Sequence, residues 1–185
     1  NQFKDRYVVA PSTYPDAKTK EPKPWNLNAN FCKEWEAEQS PKTILKNKHF
    51  QPACDAVRVL NEDKEVKALK DASQCQVMAT ASYLDEETGI RVPLKILIDL
   101  CPAVDSPWGK SLCDLKTATS AAVRPWGRTV HDHNLHVQAA LYLDVWTANT
   151  GEDRTDFLHI VQESYAPYET CRRMLSAEYI EIGRL

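Results

Sequence analysis

Two aspartates and a lysine that follow short apolar runs are the residues of this sequence best suited to do chemistry. Asp99 ends one run, Asp114 ends a second, and Lys116 comes two positions later. Side chains alternate between the two faces of an extended strand, so Asp114 and Lys116 point to the same side. The spacing therefore predicts a carboxylate beside an ammonium group.

Asp99 reaches the same edge if its segment pairs with that of Asp114 as a neighbouring strand. Two carboxylates and the Leu115 carbonyl then offer the hard oxygen ligands that Mg²⁺ or Mn²⁺ prefers, with positions left for water and phosphate. Beside such a metal, Lys116 can orient or deprotonate the attacking water and stabilise charge on phosphate. The pattern indicates metal-assisted phosphodiester hydrolysis, although a D-x-K triplet is also common at solvated strand ends.

A second motif downstream favours the catalytic interpretation. Gln138 and Tyr142 are four residues apart in a segment with helical periodicity, so they lie on one helix face. With the aspartates and the D-x-K triplet, this Q-x-x-x-Y motif resembles the PD-(D/E)XK nuclease superfamily. Within it, the chain resembles the exodeoxyribonuclease VIII family of phage and prophage recombination exonucleases, in nearly its whole length. The segments that carry the wider resemblance are residues 7–11, 18–20 with Trp25, 85–89 and 180–183.

The resemblance implies a fold, an activity and a set of site residues. The fold is α/β and restriction-endonuclease-like, with a mixed central sheet flanked by helices. The activity is metal-dependent exonucleolytic hydrolysis of linear duplex DNA in phage-type recombination. Asp99, Asp114 and the Leu115 carbonyl would bind Mg²⁺ or Mn²⁺, Lys116 would position the water, and Gln138 and Tyr142 would hold the lysine or the substrate strand. Candidates for contacts with DNA are Lys95, Thr117, Arg124, Arg128 and His136.

Partners and further segments are also implied by the resemblance. It predicts action on double-stranded DNA ends, a single-strand annealing protein as partner and a homo-oligomeric ring. It also predicts an upstream helix whose histidine joins the metal site, and a longer C-terminal end. Where many relatives place a glutamate before the first long strand, this chain has Gln74 at about that position.

Composition sets outer limits on the function. With 185 residues, 43% hydrophobic and 26% charged, the sequence predicts one globular domain over residues 1–185. The net charge of −3 gives no support to nucleic-acid binding by bulk electrostatics, so cations must cluster locally if DNA is bound. No apolar run is long enough to span a membrane and no signal peptide is present, which predicts a cytoplasmic protein. The six scattered cysteines favour free thiols over disulfides.

Two alternatives remain beside the nuclease. His131, His133 and His136 form an H-x-H-x-x-H pattern that resembles the zinc site of metallo-β-lactamase-like hydrolases, but Leu135 stands where that family has an aspartate. The other alternative is a DNA-binding or assembly module of the nuclease fold that has lost catalysis. It would lack the upstream histidine and the glutamate.

The elements that must position these residues follow from periodicity and turn signals. Residues 1–30 are rich in Pro, Lys and Asn and predict an extended arm. Helices are predicted over 31–38, 50–60 and 64–71, a hairpin over 74–100, and a strand over 110–117 with Thr117 capping the next helix. Beyond it we expect a helix over 118–129 broken by Pro125 and a long helix over 134–149 ended by Gly151. The buried stripe of the long helix would be Val137, Ala140, Leu141, Val145 and Trp146. Strands are expected over 157–163 and 168–175, the second with Arg172 and Arg173 outward, and a final helix from 176.

Overall fold

Proline and asparagine interrupt the first part of the chain, and short elements form there. The computed structural model describes residues 2–185, which fold as two compact units divided after Val57. The predicted arm contains one short helix and three short strands rather than extended chain alone. The elements of the first unit are α1 (Gln2–Arg6), β1 (Tyr7–Val9), β2 (Thr13–Pro15), β3 (Pro22–Pro24), α2 (Asn30–Glu38), β4 (Thr43–Leu45) and the start of α3 (Asn47–Glu62).

Two small ribbons and a few aromatic contacts organise this first unit. β1 pairs with β4 in parallel, and β2 pairs with β3 in antiparallel orientation. Trp25 packs edge-on against Trp35, with ring centroids 5.2 Å apart, and Cys32 is fully buried. The ring contact and the burial of Cys32 stabilise this unit, in which each described strand is three residues long.

The second unit, Arg58–Leu185, contains the main sheet. Its strand order is β5-β6-β7-β8-β9, in which β7 and β8 are parallel and the other neighbours are antiparallel. The connection between the parallel strands runs through two helices, as a crossover requires. The elements after α3 are α4 (Lys64–Asp71), β5 (Ser73–Leu84), β6 (Arg91–Pro102), β7 (Ser111–Ala118), α5 (Val123–Asp132), α6 (Leu135–Thr150), β8 (Asp156–Glu163), β9 (Thr170–Met174) and α7 (Ala177–Arg184).

Helices cover both faces of this sheet. One face packs against α6 and α7 through residues such as Ile98, Leu143 and Phe157. The other face packs against α4 through Val66, Leu69 and Ile160. Because β7 and β8 are covered on both sides, β7 is buried from Ser111 to Asp114 and β8 from Phe157 to Gln162. The predicted α/β fold with a mixed sheet flanked by helices is confirmed.

Local signals predicted most element ends. Asp63 caps α4 by accepting hydrogen bonds from the backbone N–H groups of Glu65 and Val66. Gly151 ends α6 with a positive φ of 73°, and Gly89 closes the turn between β5 and β6 with a φ of 70°.

Three local predictions were wrong. Pro125 does not break α5, because it lies in the first turn, where a proline lacks no intrahelical hydrogen bond. Thr117 remains in β7, and Ala122 precedes the helix instead. Arg173, expected to point outward from the last strand, is partly buried and donates to the carbonyl of Ala121 at 2.6 Å.

The six cysteines are free, as predicted, and three of them are buried. In the described part of the chain, none of the helices is both long enough and apolar enough to cross a membrane.

Candidate metal and phosphate site

The site lies where β6 and β7 separate. Leu100 of β6 pairs with Cys113 of β7 in antiparallel orientation. The next residues toward the same end of the two strands are both aspartates, Asp99 on β6 and Asp114 on β7. At the opposite end, Arg154 donates from Nη1 to the carbonyl oxygens of Pro102 at 2.9 Å and Ser111 at 3.1 Å. The two strands are thus held together at one end and open at the other, and both carboxylates stand at the opening.

Asp99 points sideways into this opening. Its Oδ2 accepts a hydrogen bond from the backbone N–H of Leu115 at 2.9 Å, and its Oδ1 accepts from Nε2 of Gln76 at 2.7 Å. The first bond satisfies a strand N–H that has lost its ladder partner. Gln76 has a φ of 56°, a left-handed conformation that is strained for a residue with a side chain. Such strain is often found at functional sites.

The side chains of β6 change from one sheet face to the other around Asp99. Ile96 and Ile98 join the core beneath α6, whereas Leu100 packs into the cluster beneath α4. Regular alternation would place Ile98 and Leu100 on the same face. The irregularity lies between them, at Asp99 and the opposed Gln76, and it allows this carboxylate to face β7.

Asp114 is buried, with 4% of its surface exposed. Lys116 Nζ forms an ion pair with its Oδ2 at 2.7 Å, and Gln138 Nε2 donates to its Oδ1 at 3.4 Å. Burial raises the pKa of the Asp114 carboxyl; the Lys116 contact opposes this shift, and the charge of Asp99 adds to it. The Lys116 side chain retains 28% exposure, so it contacts both the buried carboxylate and solvent.

The Leu115 backbone also faces the opening. The N–H and C=O of one strand residue point to the same edge, and the Leu115 N–H points at Asp99. The carbonyl of Leu115 is therefore directed to the side on which β6 and β7 have separated. The structure thus brings five predicted residues to one place, namely Asp99, Asp114, Leu115, Lys116 and Gln138.

The other predicted site residues lie elsewhere. Tyr142 is one turn beyond Gln138 and packs edge-on against Phe157, with centroids 5.9 Å apart. Lys95 is exposed on β6 opposite Thr80, four residues from Asp99 and so roughly 13 Å away along the strand. Thr117 is exposed on β7, on the alternate side from Lys116. Arg124 and Arg128 are exposed on α5, and half-buried His136 packs against Tyr179 of α7.

Two residues near the site were missed by sequence reasoning. Gln76, and not Gln74, lies opposite Asp99, because the register of β5 and β6 pairs Cys75 with Leu100 and Val77 with Ile98. The second is His159, which pairs with Asp114 in the register of β7 and β8. A histidine inside the apolar run Phe157–Val161 was the one sequence signal for it.

His159 is fully buried between two aromatic rings. Its centroid lies 5.3 Å from that of Trp126 and 5.1 Å from that of Phe157. Neither ring nitrogen has a hydrogen-bond partner among the described residues. Burial and the nearby charge of Lys116 lower the pKa of His159 to about 4, so the imidazole is neutral at pH 7.

The donor set can be compared with what a divalent cation requires. The opening offers two carboxylates and a backbone carbonyl, all hard oxygens suited to Mg²⁺ or Mn²⁺. Every carboxylate oxygen keeps a second lone pair beside its hydrogen bond. In residues 2–185, no three His, Cys, Asp or Glu side chains are grouped to hold a metal ion, and this includes the H-x-H-x-x-H segment. The residues therefore fit an ion that retains several waters and are a poor match for zinc.

Comparisons with known proteins agree with this geometry. A family model described as a PDDEXK-like domain of unknown function (DUF3799) matches residues 1–184. A solved structure from Eubacterium rectale, described as "putative exonuclease", is 18% identical over 83% of this chain with a TM-score of 0.58, which shows a common fold. This chain spans 55% of the length of that one. A second solved structure, SSO0001, is 15% identical over 72% of this chain and 68% of its own, with a TM-score of 0.40. No curated protein matches the chain.

Proposed function

We propose that this chain, which belongs to the PDDEXK-like family of unknown function DUF3799, is a divalent-metal-dependent deoxyribonuclease. The observation that carries the proposal is the buried Asp114 with Lys116 at 2.7 Å, beside Asp99, at a strand opening. A surface ion pair contributes little to stability, and burying a carboxylate is unfavourable. An arrangement of this kind is better explained by chemistry than by stability.

Each residue then has a defined task. Asp99, Asp114 and the Leu115 carbonyl would hold Mg²⁺ or Mn²⁺, which would polarise the phosphate and lower the pKa of a bound water. Lys116 donates hydrogen bonds to the attacking water or to a phosphate oxygen, because its ammonium remains partly exposed beside Asp114. Gln138 fixes the orientation of Asp114 by its hydrogen bond to Oδ1. Tyr142 supports this helix face through its contact with Phe157.

More specifically, we propose exonucleolytic digestion of linear duplex DNA in phage-type recombination. The resemblance to recombination exonucleases supports it, as does the fold shared with the Eubacterium rectale protein. A single-strand annealing protein as partner and a ring-shaped homo-oligomer belong to the same proposal. Arg124 and Arg128, both exposed on α5, are the candidates for phosphate contacts.

The test is a cleavage assay with end-labelled linear duplex DNA and closed circular DNA, in Mg²⁺, Mn²⁺ or a chelator. Asp114→Ala and Lys116→Ala should each reduce cleavage at least a hundredfold. Asp105→Ala and Lys110→Ala, at exposed positions of the loop between β6 and β7, are the matched controls. Loss of the linear substrate alone indicates an exonuclease. Cleavage that persists in chelator or in Asp114→Ala contradicts the proposal.

One observation favours a second candidate, a DNA-binding module without catalysis. The described residues supply two side-chain carboxylates at the opening, and Gln76 occupies the position opposite Asp99 where a third carboxylate would complete a ligand set. This candidate predicts that linear DNA is bound in the presence of a divalent ion and remains intact for hours at micromolar protein.

A further inference from the structure

A cavity of about 430 Å³ opens beside Asp99 on the sheet face that packs against α4. Its floor is apolar and comes from three strands and two helices, with side chains of Leu60, Val66, Leu100, Leu115 and Ile160. Asp99 and Gln76 form the edge that it shares with the strand opening. The cavity therefore borders the strand opening at Asp99, whereas Asp114 and Lys116 do not line it.

The shape and chemistry of the cavity limit what it can accept. Pockets for small ligands usually measure about 300–1,000 Å³, so this one holds a single flat ring system with its sugar and not a stacked base pair. An apolar floor suits the face of an aromatic ring and is a poor environment for a phosphate. The polar part of the lining comes from Asn61, Lys70, Gln76 and Asp99, and Lys70 Nζ donates to Asn61 Oδ1 at 2.7 Å. A ligand with an apolar ring face and a polar edge therefore fits this lining.

We propose that this cavity binds the unpaired base of the nucleotide that adjoins the scissile phosphate. This inference rests on the proposed nuclease function, and it adds the substrate form: a strand end whose last base has left the duplex. The apolar floor contacts the face that every base presents, so the cavity accepts all four bases. Taking a paired base out of a duplex costs a few kcal/mol, which predicts faster cleavage of frayed or single-stranded ends than of G·C-rich blunt ends.

Cys75 allows the cavity to be probed without cleavage. It lines the cavity, it is exposed, and Cys32, Cys101 and Cys113 are buried. In a Cys54→Ser, Cys171→Ser background, a maleimide should label Cys75 alone. Labelling is followed in Ca²⁺ with a short single strand, with the same strand carrying abasic sites at both ends, and with no DNA.

We expect the intact strand to slow labelling of Cys75 at least fivefold, and the abasic strand to slow it less than twofold. Equal protection by both strands would overturn the proposal, since the contact would then be with the backbone. Absence of protection, in a protein that cleaves DNA, would also overturn it while leaving the nuclease function intact. A protein that neither binds nor cleaves DNA contradicts both.

A second test fills the cavity. Cys75→Trp places a large ring at its wall, and Met78→Trp is the matched control because Met78 is 58% exposed on the same strand and lies outside the cavity. Cys75→Trp should raise KM for single-stranded ends at least tenfold with kcat changed less than threefold. Met78→Trp should change neither. An unchanged KM in Cys75→Trp, with a cooperative unfolding transition like that of the parent, contradicts the base pocket.

Discussion

At the scale of single residues, Asp114 combines a stability cost with the metal-binding role proposed for it. Its pKa is raised by burial, so at pH 7 the charged form is less favourable in the folded chain than in the unfolded one. Asp114→Asn removes that charge and keeps the shape. We expect it to increase the free energy of unfolding in metal-free buffer by about 1 kcal/mol, measured by urea unfolding, while cleavage is lost.

Adding metal should make the parent protein more stable than Asp114→Asn. At ten times its Kd, an ion that binds only the folded protein stabilises it by about 1.4 kcal/mol. Mg²⁺ should therefore stabilise the parent and leave Asp114→Asn unchanged. Equal stabilisation of both proteins would place the ion elsewhere and remove Asp114 from the ligand set.

His159 gives a prediction for the dependence of stability on pH. Its pKa is lowered to about 4 in the folded chain from a usual value of 6.5, so its contribution to stability is complete above pH 6.5 and is lost as the pH falls to about 4. The loss amounts to about 3 kcal/mol. His159→Leu should flatten the pH profile between these limits, and at pH 7 it should not destabilise the protein, because it removes two unpaired nitrogens.

The measurement is the free energy of unfolding by urea at several pH values from 7 to 4.5, for the parent and for His159→Leu. Asp114, with its raised pKa, acts in the opposite direction at acid pH, and subtracting the two profiles cancels it. His133→Leu, at an exposed position, is the control. A His159→Leu profile parallel to the parent's would show that this imidazole does not titrate in the expected way.

The spacing of residues predicted one part of the site and not the other. Asp99, Asp114, Lys116 and Gln138 are brought together because strand and helix periods place them on facing sides, which sequence alone shows. Gln76 depends on the register of a hairpin and on one positive φ, and no motif encodes either. His159 joins the site through a parallel pairing across a two-helix crossover, which pairs residues 45 positions apart, Asp114 with His159.

At the scale of elements, the opening between β6 and β7 depends on Arg154. Its guanidinium is buried, donates to carbonyls at the closed end of both strands, pairs with Glu152 at 3.0 Å, and lies 5.4 Å from the centroid of the Trp146 ring. A lysine cannot reproduce this planar set of donors. Arg154→Lys should therefore lower the free energy of unfolding by about 3 kcal/mol, because buried carbonyls lose their partner.

The same change should reduce cleavage even where the protein remains folded, since Asp99 and Asp114 lie three residues from the carbonyls that Arg154 binds. Urea unfolding and the cleavage rate at 10 °C separate the two effects. Arg58→Lys, in an exposed pair with Glu62 on α3, should change stability by less than about 0.5 kcal/mol. A full cleavage rate in Arg154→Lys would show that the opening does not depend on this residue.

The buried face of the long helix α6 was harder to predict than the presence of the helix itself. We expected Val137, Ala140, Leu141, Val145 and Trp146 to be buried, but Val137 and Leu141 are exposed, and Ala139 and Leu143 are buried instead. This helix carries apolar residues on all of its sides, so its sequence pattern does not single out one buried face. Packing against the sheet and against α7 decides the facing, and Gln138 reaches Asp114 as a result.

At the scale of the whole molecule, the match of one family model to residues 1–184 contrasts with a chain that folds as two units. The site and the cavity beside it lie in Arg58–Leu185, so the unit up to Val57 contributes none of the contacts described for them. The single domain expected from length stays a prediction. Chain length predicts the amount of core and not how many units share it.

The balance of charge over the molecule leads to the last prediction. With 23 Lys and Arg against 26 Asp and Glu, the chain attracts DNA only where cations cluster or where a metal ion is bound. The cations proposed to contact DNA are Lys116 and, on α5, Arg124 and Arg128. Three phosphate contacts give a slope of about −3 in a plot of log K against log salt concentration.

We expect no measurable binding in about 0.15 M salt without a divalent ion, and binding with that slope in Ca²⁺, both measured by fluorescence anisotropy. Replacing both arginines with alanine should reduce the slope to about −1, and Arg58→Ala should leave it unchanged. A slope of −6 or steeper, or strong binding in chelator, would show a basic surface that the placement of these residues does not reveal.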